Sequence, residues 1–261
     1  MIVMTNHQHL PFHYHVPNSQ MVMLFIHGIL ESPNQFKQMA HLANELNIST
    51  YALLLPGHGH SGETFAKASR YEWMAHVEDT LKTLRKTYQH IIFVGHSMGT
   101  LLAIDAYVKN KEQILGMILI ASPLYIHCTL RGATCGLKVA LNRIDQHDVY
   151  AVAMKKSYSV TTDHLLTYFK WVPRYLDLFY LMAFGRNSIS QLEIPMLIVH
   201  CHQDEFVSKK SLAHFKSVLK NRNVHWLELI ESGHFYYESQ ELMTLHQTYT
   251  QFLKDIIKKA D

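Results

Sequence analysis

Six short apolar runs recur along the chain, and segments with helical spacing of apolar residues separate them. The runs cover residues 21–26, 50–55, 90–95, 115–122, 195–201 and 224–230. Nearly continuous apolar runs, unlike alternating ones, are typical of strands buried on both faces of a parallel sheet. The pattern therefore predicts an α/β fold, with a doubly wound, mostly parallel sheet between two layers of helices.

The segments between the runs carry the spacing of amphipathic helices. Apolar residues step by three and four positions from Met74 to Tyr88, and similar spacing starts at Phe36 and at Leu242. We expect a further helix over residues 208–219. Because ligands bind at the carboxyl ends of the strands in such sheets, the residues after each run are the candidates for chemistry.

Residues 123–190 lack the strand–helix alternation. This interval is rich in aromatic side chains, namely Tyr158, Tyr168, Phe169, Trp171, Tyr175, Phe179, Tyr180 and Phe184. We interpret it as a helical cap inserted after the fourth long strand, with residues 1–122 and 191–261 forming the core of the same domain. The alternative is that these helices simply extend the core.

The composition excludes several classes of protein. Of 261 residues, 48% are hydrophobic and 17% are charged, and the net charge is +3, which indicates a packed core and no basic surface for nucleic acid. The three cysteines form no C-x-x-C pair, which favours a reducing compartment. The start of the chain lacks a secretory signal, and no apolar run is long enough to span a bilayer. We expect a cytoplasmic monomer or homodimer without stable membrane insertion.

A candidate nucleophile follows the third run, in the sequence Gly95-His96-Ser97-Met98-Gly99. A G-x-S-x-G motif between a strand and a helix places the serine on a sharp turn, where a Cβ on either glycine would collide with a neighbour. We predict that Ser97 is the nucleophile. The amide of Met98, at the helix N-terminus, is a candidate donor to an oxyanion.

A second donor is expected from the loop after the first run, which begins with His27 and Gly28. Gly28 allows the backbone to approach the nucleophile, so the amide of Ile29 can face the oxyanion together with that of Met98. Four residues around these loops are expected to contact the substrate: Gly28, Leu30, His96 and Tyr125.

The base and its acid partner are expected after the fifth and sixth runs. His234 follows the sixth run, and we predict that it takes the serine proton, while Asp204 after the fifth run orients the imidazole. Glu205 competes for the acid role. The Asp-x-x-Val spacing to Val207 favours Asp204.

These motifs together resemble the α/β-hydrolase family. The resemblance rests on the strand–GHSMG–helix unit, on His27-Gly28 and on the Ser-Gly-His triplet that ends at His234. The sequence LPGHGHS at residues 55–61 resembles a loop of the monoacylglycerol lipase and bacterial carboxylesterase branch, and residues 121–126 resemble the strand-to-cap junction of those carboxylesterases. The similarity extends from about Met21 to Lys254.

The resemblance implies an α/β-hydrolase fold and a serine hydrolase with Ser97, Asp204 and His234 as its triad. No cofactor is expected. The chain departs from the family at Glu31, near a position where a small residue is common, and at Cys201, where glycine is more common. We expect Glu31 near the mouth of the pocket, where it would disfavour anionic substrates.

Twenty histidines make the charge of the chain unusually sensitive to acid. Four H-x-H pairs occur, His7/His9, His13/His15, His58/His60 and His200/His202. The last pair, with Asp204, imitates the start of a dinuclear metal motif, but that motif requires a histidine where this chain has Glu205, so we predict no metal site. We expect His96 to be a structural neighbour of the site, His58 and His60 to lie near the pocket, and the N-terminal four to form an exposed edge hairpin.

The nucleophile restricts the substrate. A serine excludes the relatives on this fold that attack with a carboxylate, and an aromatic, weakly charged cap favours an apolar substrate group. We predict a small carboxylic ester with a short- to medium-chain acyl group, with monoacylglycerols among the candidates. The alternatives are a thioesterase, an aromatic-acid esterase, a C–C bond hydrolase, and a ligand-binding receptor that retains the triad.

Overall fold

A twisted sheet forms the centre of the protein in the computed structural model, which describes residues 9–161 and 166–260. Its strands are β1 (Phe12–Tyr14), β2 (Met21–Ile26), β3 (Ser49–Ala52), β4 (His90–His96), β5 (Ile114–Ile120), β6 (Met196–Cys201) and β7 (Val224–Leu229). The order is β1-β3-β2-β4-β5-β6-β7, and every pair is parallel except β1 with β3. The predicted fold class is confirmed.

Helices cover both faces of this sheet. They are α1 (Lys37–Glu45), α2 (Gly62–Lys67), α3 (Arg70–Leu84), α4 (Met98–Lys109), α5 (Leu130–Ala140), α6 (Val149–Ser157), α7 (Thr167–Lys170), α8 (Val172–Ser188), α9 (Lys209–Val218) and α10 (Ser239–Ala260). Successive residues of β4 point to opposite faces. Phe93 therefore packs in the hydrophobic cluster that includes α3, α4 and α8, whereas Ile92 packs in the cluster that includes α1 and α10.

Two elements differ from the prediction near the sheet edge. The second apolar run covers residues 50–55, but strand β3 ends at Ala52. Beyond the strand, the Leu55 N–H donates to Nε2 of the His27 ring at 3.0 Å and not to a neighbouring strand. Within the described residues, His9, His13 and His15 do not form a hairpin of their own. His13 lies on β1, an edge strand that pairs with β3, and both His13 and His15 are exposed. His7 lies outside the described residues.

In the described part of the interval between β5 and β6 lie four α-helices, α5 to α8. Helix α8 packs against α4, where a Cβ on Gly185 would lie 3.0 Å from the side chain of Leu101. Helices α5 and α6 share a small apolar cluster that includes Cys135 and Met154. Helix α8 therefore extends the core, whereas α5 and α6 pack in a separate apolar cluster. The proposed cap boundaries stay a prediction. Among the described helices, none combines the length and apolarity needed to cross a membrane.

Candidate active site

The turn between β4 and α4 holds Ser97 in a strained conformation, with φ 51° and ψ −126°. A Cβ on Gly99 would lie 1.9 Å from the carbonyl oxygen of Ile26, and one on Gly95 would lie 2.6 Å from the Thr100 amide nitrogen. Glycine is therefore required on both sides of the serine. This geometry presents the serine at the start of α4, where the first amides of a helix have no acceptor within it.

A histidine and an acid meet on the neighbouring loops. Nδ1 of His234 lies 2.8 Å from Oδ2 of Asp204, and the other carboxylate oxygen of Asp204 accepts the amides of Phe206 and Val207 at 2.8 and 2.7 Å. The Asp-x-x-Val spacing thus fixes the acid on its own loop. Glu205 has a different partner, since its carboxylate accepts the backbone N–H of His234 at 2.9 Å.

Opposing effects act on the pKa values of this pair. Burial raises the pKa of Asp204, but the charge of His234, its hydrogen bond and two backbone amides outweigh burial and hold the pKa below its usual range. Burial lowers the pKa of His234, but the Asp204 carboxylate, with Glu31 and Glu205, raises it above the ordinary value. These pKa shifts favour an ionised Asp204 carboxylate and make the His234 imidazole a stronger base.

The loop after β2 passes close to Ser97. A Cβ on Gly28 would lie 2.8 Å from the Cβ of Ser97, so only glycine allows this approach. Leu30 has φ 64°, in the left-handed region that disfavours a branched side chain. Its N–H donates to the buried ring of His58 at 3.1 Å, and its carbonyl accepts the Ser159 amide at 2.8 Å. These bonds hold Leu30 in its strained conformation.

An apolar cavity of about 240 Å³ opens over the serine. Its lining includes Ile29, Leu30, Ser97, Pro123, Ile126, Tyr158, Leu178, Phe206, His234 and Phe235. A second cavity of about 440 Å³ is lined by residues of α5, α6 and α8 and shares Leu30, Tyr158 and Tyr175 with the first. The structure therefore brings together the predicted nucleophile, base and oxyanion loop at one apolar pocket.

Of the four predicted substrate contacts, Leu30 lines this cavity, whereas Gly28, His96 and Tyr125 do not. The Tyr125 backbone bonds to Ser208 and Ser211, and its ring packs against Arg186 and His214, while its chain neighbours line the pocket instead. The ring of His96 packs against that of His234, with 4.9 Å between centroids, and its Nε2 donates to the His234 carbonyl oxygen at 3.2 Å.

Glu31 lies inside the site and not at the pocket mouth, which corrects the expectation from sequence. Its side chain is 1% exposed and accepts the Gly28 amide at 2.6 Å and the Gln35 side-chain amide at 2.8 Å. The carboxylate also lies 2.9 Å from Nδ1 of His96 and 3.8 Å from Nε2 of His234. Burial raises the pKa of Glu31, but the two histidines lower it to about 2.

Sequence reasoning missed this buried carboxylate as a member of the site. The available signal was the departure from a small residue after the His-Gly pair, together with the histidine inside the serine turn. Ligand atoms of Glu31, His96 and His234 lie within 4.8 Å of one another, so these residues could hold a metal ion.

The fold and the site together define an α/β-hydrolase. The sheet is mostly parallel, the serine lies on a strained turn, and the acid and the histidine lie on the loops of neighbouring strands. A family model described as serine aminopeptidase, S33 (Hydrolase_4), matches residues 17–234, and the chain belongs to this family.

The relatives include lipases and esterases. The chain is 22% identical over 200 residues to a thermostable monoacylglycerol lipase of Bacillus sp. (strain H-257), covering 74% of each chain. The crystal structure of Paleococcus ferrophilus monoacylglycerol lipase has a TM-score of 0.70 at 16% identity, covering 94% of this chain and 98% of that one. Est1E from Butyrivibrio proteoclasticus, with ferulic acid bound, has a TM-score of 0.66 at 16% identity, covering 95% of both chains. The predicted resemblance to the monoacylglycerol lipase branch is confirmed.

Proposed function

We propose that this protein hydrolyses small carboxylic esters through an acyl-enzyme on Ser97. The observation that carries the proposal is that the strained serine shares an apolar cavity with His234, whose Nδ1 lies 2.8 Å from Asp204. A serine hydroxyl needs a base to become nucleophilic, and a base needs an acid to fix its tautomer.

In the proposed reaction, His234 accepts the Ser97 proton as the hydroxyl oxygen attacks the ester carbonyl. The negative charge that forms on the carbonyl oxygen is stabilised by the amides of Ile29 and Met98. The imidazolium then donates its proton to the leaving alcohol, and Asp204 stabilises the charged ring. Water attacks the acyl-enzyme with His234 again as the base, which releases the acid and restores the serine.

The family match and the lipase and esterase relatives identify the chain as a carboxylic ester hydrolase. The finer assignment, to short- and medium-chain acyl esters including monoacylglycerols, is supported by the apolar lining and modest volume of the cavity.

A second candidate substrate class is the aromatic-acid ester. Four tyrosine and phenylalanine rings line the cavity, and those of Tyr158 and Phe235 meet edge to face at 5.7 Å between centroids. Such rings favour a planar acyl group. Est1E, a structural neighbour, holds ferulic acid. Methyl hydroxycinnamates therefore belong in the substrate panel beside aliphatic esters and monoacylglycerols.

A fluorophosphonate probe followed by peptide mass spectrometry tests the mechanism directly. We expect an adduct on Ser97 and no labelling of Ser97→Ala, which should also lose cleavage of nitrophenyl esters while retaining the circular dichroism spectrum of the native fold. Ester cleavage that persists in Ser97→Ala would refute the assigned nucleophile. Ser122→Ala is a matched control, because Ser122 is also buried but its hydroxyl accepts from Thr100 and it does not line the cavity.

A further inference from the structure

Three buried side chains from separate segments converge beside the proposed base. Glu31 comes from the loop after β2, His96 is the last residue of β4, and His234 comes from the loop after β7. One Glu31 oxygen lies 3.0 Å from Nδ1 of His96 and 3.8 Å from Nε2 of His234. One possible ligand atom from each of the three side chains therefore lies within 4.8 Å of the other two.

The spacing suits a small transition-metal ion. Zn²⁺ binds histidine nitrogen and carboxylate oxygen at about 2.0–2.2 Å, which places two ligands of a tetrahedral ion about 3.4 Å apart. The observed separations of 3.0 and 3.8 Å fall on either side of this value, and all three ligand atoms lie within 4.8 Å. Two imidazoles and one carboxylate are a donor set that Zn²⁺ commonly takes.

Each of the three side chains is also oriented by a second hydrogen bond, as metal ligands usually are. The other nitrogen of His234 is bonded to Asp204, and that of His96 to the His234 carbonyl oxygen. The second Glu31 oxygen is held by the amide of Gly28 and by the side chain of Gln35. The ligand atoms are therefore held in place before any ion arrives.

An ion would have a route to this position. Glu31 and His234 line the substrate cavity, together with Ser97. Three protein ligands leave the fourth position of a tetrahedral ion open. A cation bound here would take the Nε2 lone pair of His234 that the proposed reaction needs for the serine proton.

We propose that Glu31, His96 and His234 form an inhibitory site for a divalent transition-metal ion of the zinc type. Binding of the ion is independent of the reaction, whereas its inhibitory effect rests on the proposed role of His234 as the base. The bound ion reversibly inhibits the resting enzyme and is not a cofactor, because the ion and the Ser97 proton compete for the same lone pair on Nε2 of His234.

Binding is tested first on the chelator-treated wild-type protein. We expect calorimetric titration with Zn²⁺ to show one tight site per chain, and Co²⁺ to give the intense visible absorption of a four-coordinate ion with nitrogen and oxygen ligands. Absence of both signals would overturn the proposal. The cobalt spectrum needs no variant, so this result holds even where a substitution prevents folding.

Two variants separate this site from the other histidines. Glu31→Gln removes the anionic ligand and should weaken the zinc inhibition constant at least tenfold, measured against the basal rate of that variant. His13→Gln combined with His15→Gln is the matched control, because these exposed histidines converge on the Tyr88 hydroxyl at 3.1 and 3.2 Å, far along the sheet edge. Equal zinc sensitivity of Glu31→Gln and wild type, or loss of sensitivity in the control, would contradict the proposal.

Failure of the proposed function gives a different result. If fluorophosphonate does not label Ser97 but Zn²⁺ still binds and Glu31→Gln weakens it, the metal site stands and the inhibitory mechanism falls. If labelling occurs and saturating Zn²⁺ does not slow it, the ion does not block His234 and the inhibitory assignment is wrong.

Discussion

The Asp204 carboxylate lies 2.8 Å from Nδ1 of His234, while the adjacent carboxylate of Glu205 binds the backbone amide of the same histidine. Only the first contact acts on the imidazole tautomer. We therefore predict that Asp204→Asn lowers kcat about ten-thousandfold, the loss seen when the acid of a serine triad becomes an amide. Steady-state kinetics with a nitrophenyl ester measures this loss.

Glu205→Gln is the control for this prediction, because glutamine keeps an oxygen that can accept the His234 amide. Glu205 also pairs with Arg131 at 2.8 Å, so its substitution should reduce stability more than kcat. A kcat loss in Glu205→Gln as large as in Asp204→Asn would show that the acid has been assigned to the wrong residue.

Much of the sheet and of the serine turn follows from local sequence. The apolar runs predict the long strands because a strand buried on both faces needs apolar residues at every position, and G-x-S-x-G marks a turn where glycine is sterically required. Helix α9 begins where expected, because the Ser208 side chain caps its first turn.

The rest depends on contacts between distant segments. Glu31 and His96 are 65 positions apart, and no local pattern shows that they pair in the interior. Tyr125 misses the cavity because Ser208 and Ser211, on another segment, fix its backbone. Similarly, β3 ends early because a histidine ring from the neighbouring loop takes the place of a strand partner.

The activity should depend on pH through His234, which acts as base only when neutral. Asp204, Glu31 and Glu205 raise its pKa despite burial, so kcat/KM of the chelator-treated enzyme should rise with pH through a midpoint above about 6.5. Glu31→Gln removes one of these charges and should move the midpoint to lower pH. A midpoint that stays in place in this variant would show that Glu31 does not act on the base.

Two buried histidines should make the fold less stable in acid. Burial lowers the pKa of His27 to about 4 and that of His58 well below its ordinary value, whereas both titrate near about 6.5 in the unfolded chain. Below that pH the unfolded chain binds protons that the folded chain does not, so the free energy of unfolding falls as pH falls. Both histidines therefore lower the free energy of unfolding in acid, and His234, with its raised pKa, acts in the opposite direction.

Urea unfolding at about pH 7.5 and about pH 5.5 measures this difference, which we expect to be about 1–3 kcal/mol. His58→Gln should be less stable at neutral pH, because Leu30 loses its ring acceptor, but should lose less stability on acidification than wild type. A free energy of unfolding that is the same at both pH values would contradict the prediction.

The size of the substrate cavity should set the preferred acyl length. Each methylene buried in an apolar cavity contributes about 0.8 kcal/mol, so kcat/KM should rise about fourfold per added carbon until the cavity of about 240 Å³ is full. Ile126→Trp adds volume at the cavity wall and should lower kcat/KM for the best substrate about tenfold, with the optimum moved to shorter chains. Ile230→Trp, an equally large change on an exposed residue outside this lining, should leave the profile unchanged. If both variants keep the wild-type optimum, the acyl group binds elsewhere, and the larger cavity lined by α5, α6 and α8 becomes the next candidate.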